Sequence, residues 1–225
     1  MSEAVNIHIG RRKLFKHYHH VVQRLVTQYT EPGGQVLDIG CGMGHLLSLI
    51  RDADRGYELT GADAFQVCLD GTAELVPEAS RLLVHEEGLD METLRKGAPY
   101  DAVTMIHTLE HTLSPAETVR SALELVRPGG HLFLAVPNPV RPKNVLNALR
   151  RHHYVNRGHV CAWDRSHWMN FLDTILGLDV VEYSQDEVRL FPSRIASFAP
   201  LKAIEIGVSN VVPWWSFTNI AVIRR

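Results

Sequence analysis

The residues Val36-Leu37-Asp38-Ile39 form a short apolar run that passes directly into Gly40-Cys41-Gly42-Met43-Gly44 and then into the helical pattern HLLSLIRDA. A strand, a glycine turn and a helix in immediate succession read as the opening of a βαβ unit, because parallel strands must be joined by a long crossover. The rest of the chain repeats the alternation: YELTGA, FQVCLDGTAEL, RLLVH, YDAVTMI, a long helical segment, then HLFLAV. That order predicts an α/β fold with a doubly wound, largely parallel sheet covered by helices on both faces.

Several elements carry their own punctuation. Leu14, Tyr18, Val21, Val22, Leu25 and Val26 recur at helical spacing, so an N-terminal helix over 11–29 is expected, broken by Pro32-Gly33-Gly34. After Leu113, Ser114 and Glu117 have the spacing of a capping box with Pro115 at the first helical position, and Arg127-Pro128-Gly129-Gly130 marks that helix's stop. Beyond Pro137 the pattern loosens, and a substrate-facing insertion is placed at about 138–163, followed by a helix from Asp164 to about Leu176. The remainder, DVVEYSQDEVRLF and WWSFTNIAVIRR, reads as two antiparallel strands joined by a long irregular connection.

With 225 residues and 45% hydrophobic content, the chain buries enough surface for a single domain over 1–225 without disulfides. Cys41, Cys68 and Cys161 are odd in number and show no C-x-x-C pairing, which suits reduced thiols. The N-terminus is polar and no apolar run approaches the roughly 20 residues of a membrane span, so a cytoplasmic location is expected. A formal charge of -2 creates no demand for nucleic acid.

The glycine turn lies at the carboxyl end of the first strand, where open α/β sheets bind ligands. A dinucleotide fingerprint would need glycine at 45, where this chain has His45. The spacing is instead G-x-G-x-G. Asp38 places a carboxylate beside the ligand, unfavourable near a pyrophosphate and favourable near a cation. Asp63, at the end of the second strand, can accept two hydrogen bonds from ribose hydroxyls, cap the following helix, or both.

VLDIGCGMG, ADAF and YDAVTMIHTLEHTLSPAETVRSALELVRPGGHLFLAVPN together resemble the class I S-adenosylmethionine-dependent methyltransferases over about residues 30–140. IHTLEH and RPGG look most like the ubiquinone-biosynthesis O-methyltransferase branch and its small-molecule relatives. The resemblance implies a Rossmann-like seven-stranded sheet in order 3-2-1-4-5-7-6 with the seventh strand antiparallel, and S-adenosyl-L-methionine as cofactor. Carried over by position, Asp38, Gly40, Cys41, Gly42 and Gly44 surround its methionine and ribose, and Asp63 and Ala64 the ribose. Leu89 or Asp90 meets the adenine, while Ile106 and His107 border the methyl group.

Methyl transfer to a hydroxyl needs alignment, exclusion of water and a proton acceptor. His111 is the preferred base, with Glu110 and His159 as further candidates. Glu110, His111 and His159 also make a mixed carboxylate and imidazole set suited to a divalent cation. They resemble the Glu-Glu-His plus distant His set of small-RNA 3′-end methyltransferases, with His107 where that set has a Glu.

Between Leu125 and Trp163 there are six Lys/Arg, four His and no Asp or Glu. With Arg11, Arg12, Lys13, Lys16 and Arg24 near the N-terminus, these residues would draw an anionic small molecule. Tyr154, Trp163, Trp168, Trp214 and Trp215 are candidate pocket walls or core residues. The reading is a small-molecule methyltransferase acting at oxygen. An RNA 2′-O-methyltransferase and a non-catalytic cofactor-binding partner subunit are the alternatives.

Overall fold

The computed structural model describes residues 15–85, 89–150, 158–191 and 198–225. In chain order, α1 (His17–Tyr29) precedes β1 (Gln35–Ile39), α2 (His45–Arg51), β2 (Glu58–Asp63), α3 (Gln66–Leu75) and β3 (Ser80–Leu83). A short α4 (Met91–Leu94) leads to β4 (Tyr100–Ile106), α5 (Pro115–Leu125) and β5 (Val126–Pro137). Then come α6 (Pro142–Leu149), α7 (Arg165–Met169), β6 (Asp179–Gln185), α8 (Ala199–Val211) and β7 (Thr218–Arg224). The seven strands lie in the order β3-β2-β1-β4-β5-β7-β6. Those from β3 to β5 pair in parallel, and β7 is antiparallel to both neighbours, as the family resemblance implied.

Alternation along the strands divides the core between the two faces of the sheet. Leu132, Leu134 and Val136 of β5 join Leu37, Ile39 and the α5 residues Val119 and Ala122 on one face. Phe133 and Ala135 point to the other, where α1 contributes Val21, Val22, Leu25 and Val26. Strands with both faces covered read as continuous apolar runs, which is why QVLDI and HLFLAV were visible. Trp163 and Trp168 belong to the first face, their rings 5.7 Å apart, and so pack the core instead of lining a pocket.

Three local expectations are corrected. Ser114 precedes α5, but its side chain makes no capping hydrogen bond, so the box with Glu117 does not form. Pro115 at the first position has no N–H to cap, which lowers the need for one. The RPGG stop is part of β5: Tyr100 pairs with Val126 and Ala102 with His131, so residues 127–130 bulge out opposite Asp101. The connection between β6 and β7, expected to be irregular, contains the thirteen-residue α8. Its buried residues are Glu205 and Ser209, while Ile204 and Val211 are exposed, so its pattern is the reverse of an ordinary amphipathic helix. Glu205 accepts hydrogen bonds from the Leu190 and Phe191 amides at 2.8 and 3.0 Å, which satisfies one of its buried oxygens.

Candidate active site

The carboxyl edge of β1 and β2 is a cradle made mostly of backbone. Gly40, Gly42 and Gly44 have φ of +75°, +54° and +77°, a region that side chains rarely adopt. At Gly40 a Cβ would also sit 2.3 Å from the Thr108 hydroxyl, whereas at Gly42 it would meet open space. The Gly42 amide donates to one oxygen of Asp63 at 2.9 Å and the Phe65 amide to the other at 3.0 Å. Asp63 thus clamps the glycine loop to the start of α3, and each oxygen keeps a lone pair for a hydroxyl.

Asp38 is buried and accepts a hydrogen bond of 2.6 Å from Thr104, its register partner on β4. Burial raises its pKa to about 7, and the neighbouring Asp63 pushes in the same direction. Two acids side by side, with no ion pair to either among the described residues, suit a cationic ligand.

The other cradle candidates play different parts. The Cys41 amide donates to Ala62 at 3.0 Å and its thiol packs under the loop 3.7 Å from the Thr72 hydroxyl, so burial pushes the thiol pKa up. Ala64 and Ile106 are half-buried at the ends of β2 and β4. Leu89 packs against the core, and Asp90 caps α4 by accepting from the Thr93 amide at 3.1 Å. That bond holds the Asp90 carboxyl below its usual range. Glu86, Glu87 and Gly88, which precede Leu89 and Asp90, lie outside the described residues, as do Tyr154 and Arg157.

Beyond β4 the site is made of side chains from distant parts of the chain. His107 has φ +55°, and its Nε2 lies 3.0 Å from the Thr218 hydroxyl on β7. Its ring stacks on Tyr18 of α1, with centroids 4.4 Å apart and planes 17° apart. Burial holds this imidazole well below its usual pKa.

Glu110, 1% exposed, has neither carboxylate oxygen in a hydrogen bond among the described residues. Its Oε1 faces His107 Nδ1 at 3.8 Å and His159 Nε2 at 3.9 Å. Burial raises its pKa to about 8. A buried carboxyl without partners costs free energy, so something must favour keeping it there.

The segment after α6 reaches this point through the backbone. The amides of Val160 and Cys161 donate to the Glu110 carbonyl at 2.8 and 3.3 Å, which fixes the adjoining His159 near it. Gly158, at φ +85°, brings its carbonyl within 3.1 Å of His111 Nδ1, and a Cβ there would sit 3.2 Å from that same nitrogen. A carbonyl only accepts, so Nδ1 carries the proton and the lone pair of His111 is on Nε2. Ligand atoms from Glu110, His111 and His159 lie within 4.8 Å of one another, and burial lowers the His159 pKa, keeping it neutral. One carboxyl and two imidazoles at this spacing offer a ligand set suited to a divalent cation.

Tyr18, Gly158, Phe217 and Thr218 form part of this wall and were not singled out as site residues. Phe217 is flanked by Arg141 and Arg189, whose guanidinium carbons lie 4.3 and 3.8 Å from the ring centre. Only the sheet order reveals Phe217 and Thr218, since β7 comes from the end of the chain to lie beside β5.

A sequence profile described as a methyltransferase domain matches residues 11–183. The chain belongs to the methyltransferase domain family. It is 38% identical over 122 residues to the ubiquinone biosynthesis O-methyltransferase of Alkalilimnicola ehrlichii, covering 52% of this chain and 47% of that one. To the protein of the same name from Pseudomonas aeruginosa it is 34% identical over 151 residues, covering 64% and 63%. The matches thus span from about half to just under two thirds of these relatives. Among solved structures, one similar fold is in the complex of the Haloferax volcanii Trm112 methyltransferase activator with a methyltransferase. There the TM-score is 0.64 at 20% identity, with 98% of this chain and 94% of that chain covered.

Proposed function

We propose that this protein transfers a methyl group from S-adenosyl-L-methionine to an oxygen of a small-molecule acceptor, with Glu110, His111 and His159 grouped to hold a divalent cation. The observation that carries the acceptor half of this reading is the unpartnered, buried carboxyl of Glu110 facing two imidazoles at the carboxyl end of β4. The names of the two relatives support oxygen as the methylated atom.

The sulfonium supplies an activated methyl group whose transfer disperses positive charge. The glycine cradle would hold the cofactor close to the backbone, Asp63 would accept from its ribose, and Asp38 would balance its positive charge. Tyr18 and His107, stacked, close the site above β4 and exclude water. A cation held by the three ligands would lower the pKa of the acceptor's hydroxyl and orient it. His111 Nε2 is oriented either to ligate or to take that proton directly. The basic residues near Phe217 favour an acceptor with negative charge.

Calorimetry with S-adenosylhomocysteine tests the cofactor half. Asp63→Ala should weaken binding about 100-fold, the loss of two hydrogen bonds to a charged acceptor, and no heat from the wild type would remove the cofactor from the account. His111→Ala should abolish methylation while leaving that heat intact. Activity that survives exhaustive EDTA treatment would remove the cation and leave His111 as base.

A further inference from the structure

The chain stays beside β7 after β6 ends. Past Gln185, the Thr218 amide donates to Asp186 Oδ1 at 2.8 Å and the Phe217 amide to the Glu187 carbonyl at 2.9 Å. This continued pairing lays Arg189 against Phe217, with its guanidinium carbon 3.8 Å from the ring centre, and the same ring stands 5.9 Å from that of His107.

Glu187 fixes the guanidinium. The residue is 2% exposed, and its Oε1 accepts from Arg189 Nε at 3.2 Å. Its Oε2 faces His17 Nδ1 of α1 at 3.3 Å and pairs with the Lys202 ammonium of α8. Arg189 is thus held at Nε and over the face of a ring. Its other edge, Nη1 and Nη2, makes no hydrogen bond or ion pair among the described residues, and its side chain is 34% exposed. Paired N–H groups on a fixed guanidinium match the two oxygens of a carboxylate or phosphate.

The charges agree. Arg189 and Lys202 share the one carboxylate of Glu187, and Arg141 brings a third cation to the Phe217 ring. Asp186, raised by burial to about 7, returns only part of a negative charge at neutral pH, and Glu205 of α8 spends its Oε1 on two amides. A positive excess remains beside the acceptor wall.

We infer that Arg189, positioned by Glu187, binds an ionised oxygen group of the acceptor, a carboxylate or a phosphate. The substrate is then a small hydroxy acid or a hydroxyl-bearing phosphate ester, anchored at two points, and not a neutral alcohol or phenol. This rests on the reading of the wall as the acceptor side of a methyltransferase.

The full chain, isotope-labelled, is titrated with inorganic phosphate and separately with acetate while NMR follows the arginine Nε–H signals and the Phe217 amide. The Arg189 signal is the one missing from Arg189→Lys. It should shift and saturate, and the anion that binds more tightly names the class. Followed at the Phe217 amide, binding should weaken about 30-fold in Arg189→Met and about tenfold in Arg189→Lys, which keeps the charge without the paired donors. Glu187→Asp keeps the charge and withdraws the anchor, so binding should weaken about fivefold. Arg120→Met, exposed on α5, should change nothing. Lys202 and His17 still face Glu187 in both Arg189 variants, and thermal melting confirms that they fold.

No shift with either anion overturns the inference, as does binding that Arg189→Met leaves unchanged. Unchanged binding in Glu187→Asp removes the positioning role. The titration is repeated with saturating S-adenosylhomocysteine, and the shift should persist. Its loss would assign the anion to the cofactor's own carboxylate, overturning this inference while the cofactor reading stands. An Arg189 shift in a protein that does not bind S-adenosylhomocysteine would remove methyl transfer and the acceptor role together, leaving only an anion site.

Discussion

Over β1 and β2 the site is contiguous backbone: one glycine loop, clamped by a single carboxylate from the next strand. Over β4 and β7 it is side chain, drawn from residues 18, 107–111, 158–161 and 217–218, and held together by bonds to the Glu110 carbonyl and the Thr218 hydroxyl. On the proposed reading the first half would recognise a constant ligand, for which a fixed backbone shape is enough. On the same reading the second would fit one acceptor among many, built from parts of the chain that can vary without disturbing the sheet.

The contrast predicts unequal responses to mutation. The largest is expected at Gly40→Val, where a left-handed φ and a Cβ 2.3 Å from Thr108 combine. It should destabilise the fold by about 3 kcal/mol and abolish cofactor binding, as read by melting and calorimetry. Unchanged binding would mean that the loop does not face the ligand. Glu110→Gln should act in the opposite sense on stability. Replacing a buried, unpartnered carboxyl by a neutral amide should raise the stability of the ligand-free protein by about 1 kcal/mol, while methylation falls about 100-fold and cofactor affinity holds. A lower melting temperature would show that Glu110 supports the fold and not the chemistry.

The same contrast explains what could be read in the sequence. The cradle was legible because Asp38, the three glycines and Asp63 are local signals at the ends of strands whose apolar runs are continuous. Glu110 and His111 were visible beside β4, and His159 was joined to them through its ligand chemistry and a family resemblance, since no periodicity reports that residues 158–161 return to the Glu110 carbonyl. Tyr18 sat in the apolar period of α1, where a site role and a core role look alike. Helix α8 was hidden because its buried face is Glu205 and Ser209, so a pattern reader finds the apolar residues on the wrong side. RPGG was read as a stop because glycine and proline punctuate, yet a bulge between paired strands uses the same residues.

Gly158→Ala sharpens the comparison with a smaller change. The added methyl would press on His111 Nδ1 and the φ of +85° would be strained, so His111 should lose its orientation. Methylation should fall about tenfold, with cofactor affinity unaltered and stability lower by about 1 kcal/mol. Equal losses in binding and turnover would erase the boundary between the two halves.

The smallest effect belongs to pH. Asp38, raised by burial to about 7, holds a proton in the folded protein that the unfolded chain gives up near its ordinary carboxylate pKa. Between about pH 4 and about pH 7 the native state therefore binds more protons, and the stability of the ligand-free protein falls as pH rises through that window. Asp186, also raised by burial to about 7, contributes with the same sign, so melting alone cannot isolate Asp38. Cofactor affinity can. Ionisation of Asp38 places a negative charge against a cationic ligand, so affinity should rise about fivefold from about pH 6 to about pH 8. Asp38→Asn should flatten that rise, and Asp186→Asn should leave it in place because Asp186 bonds to the Thr218 amide on the acceptor side. A rise that persists in Asp38→Asn would move the charge-sensing group out of the cradle.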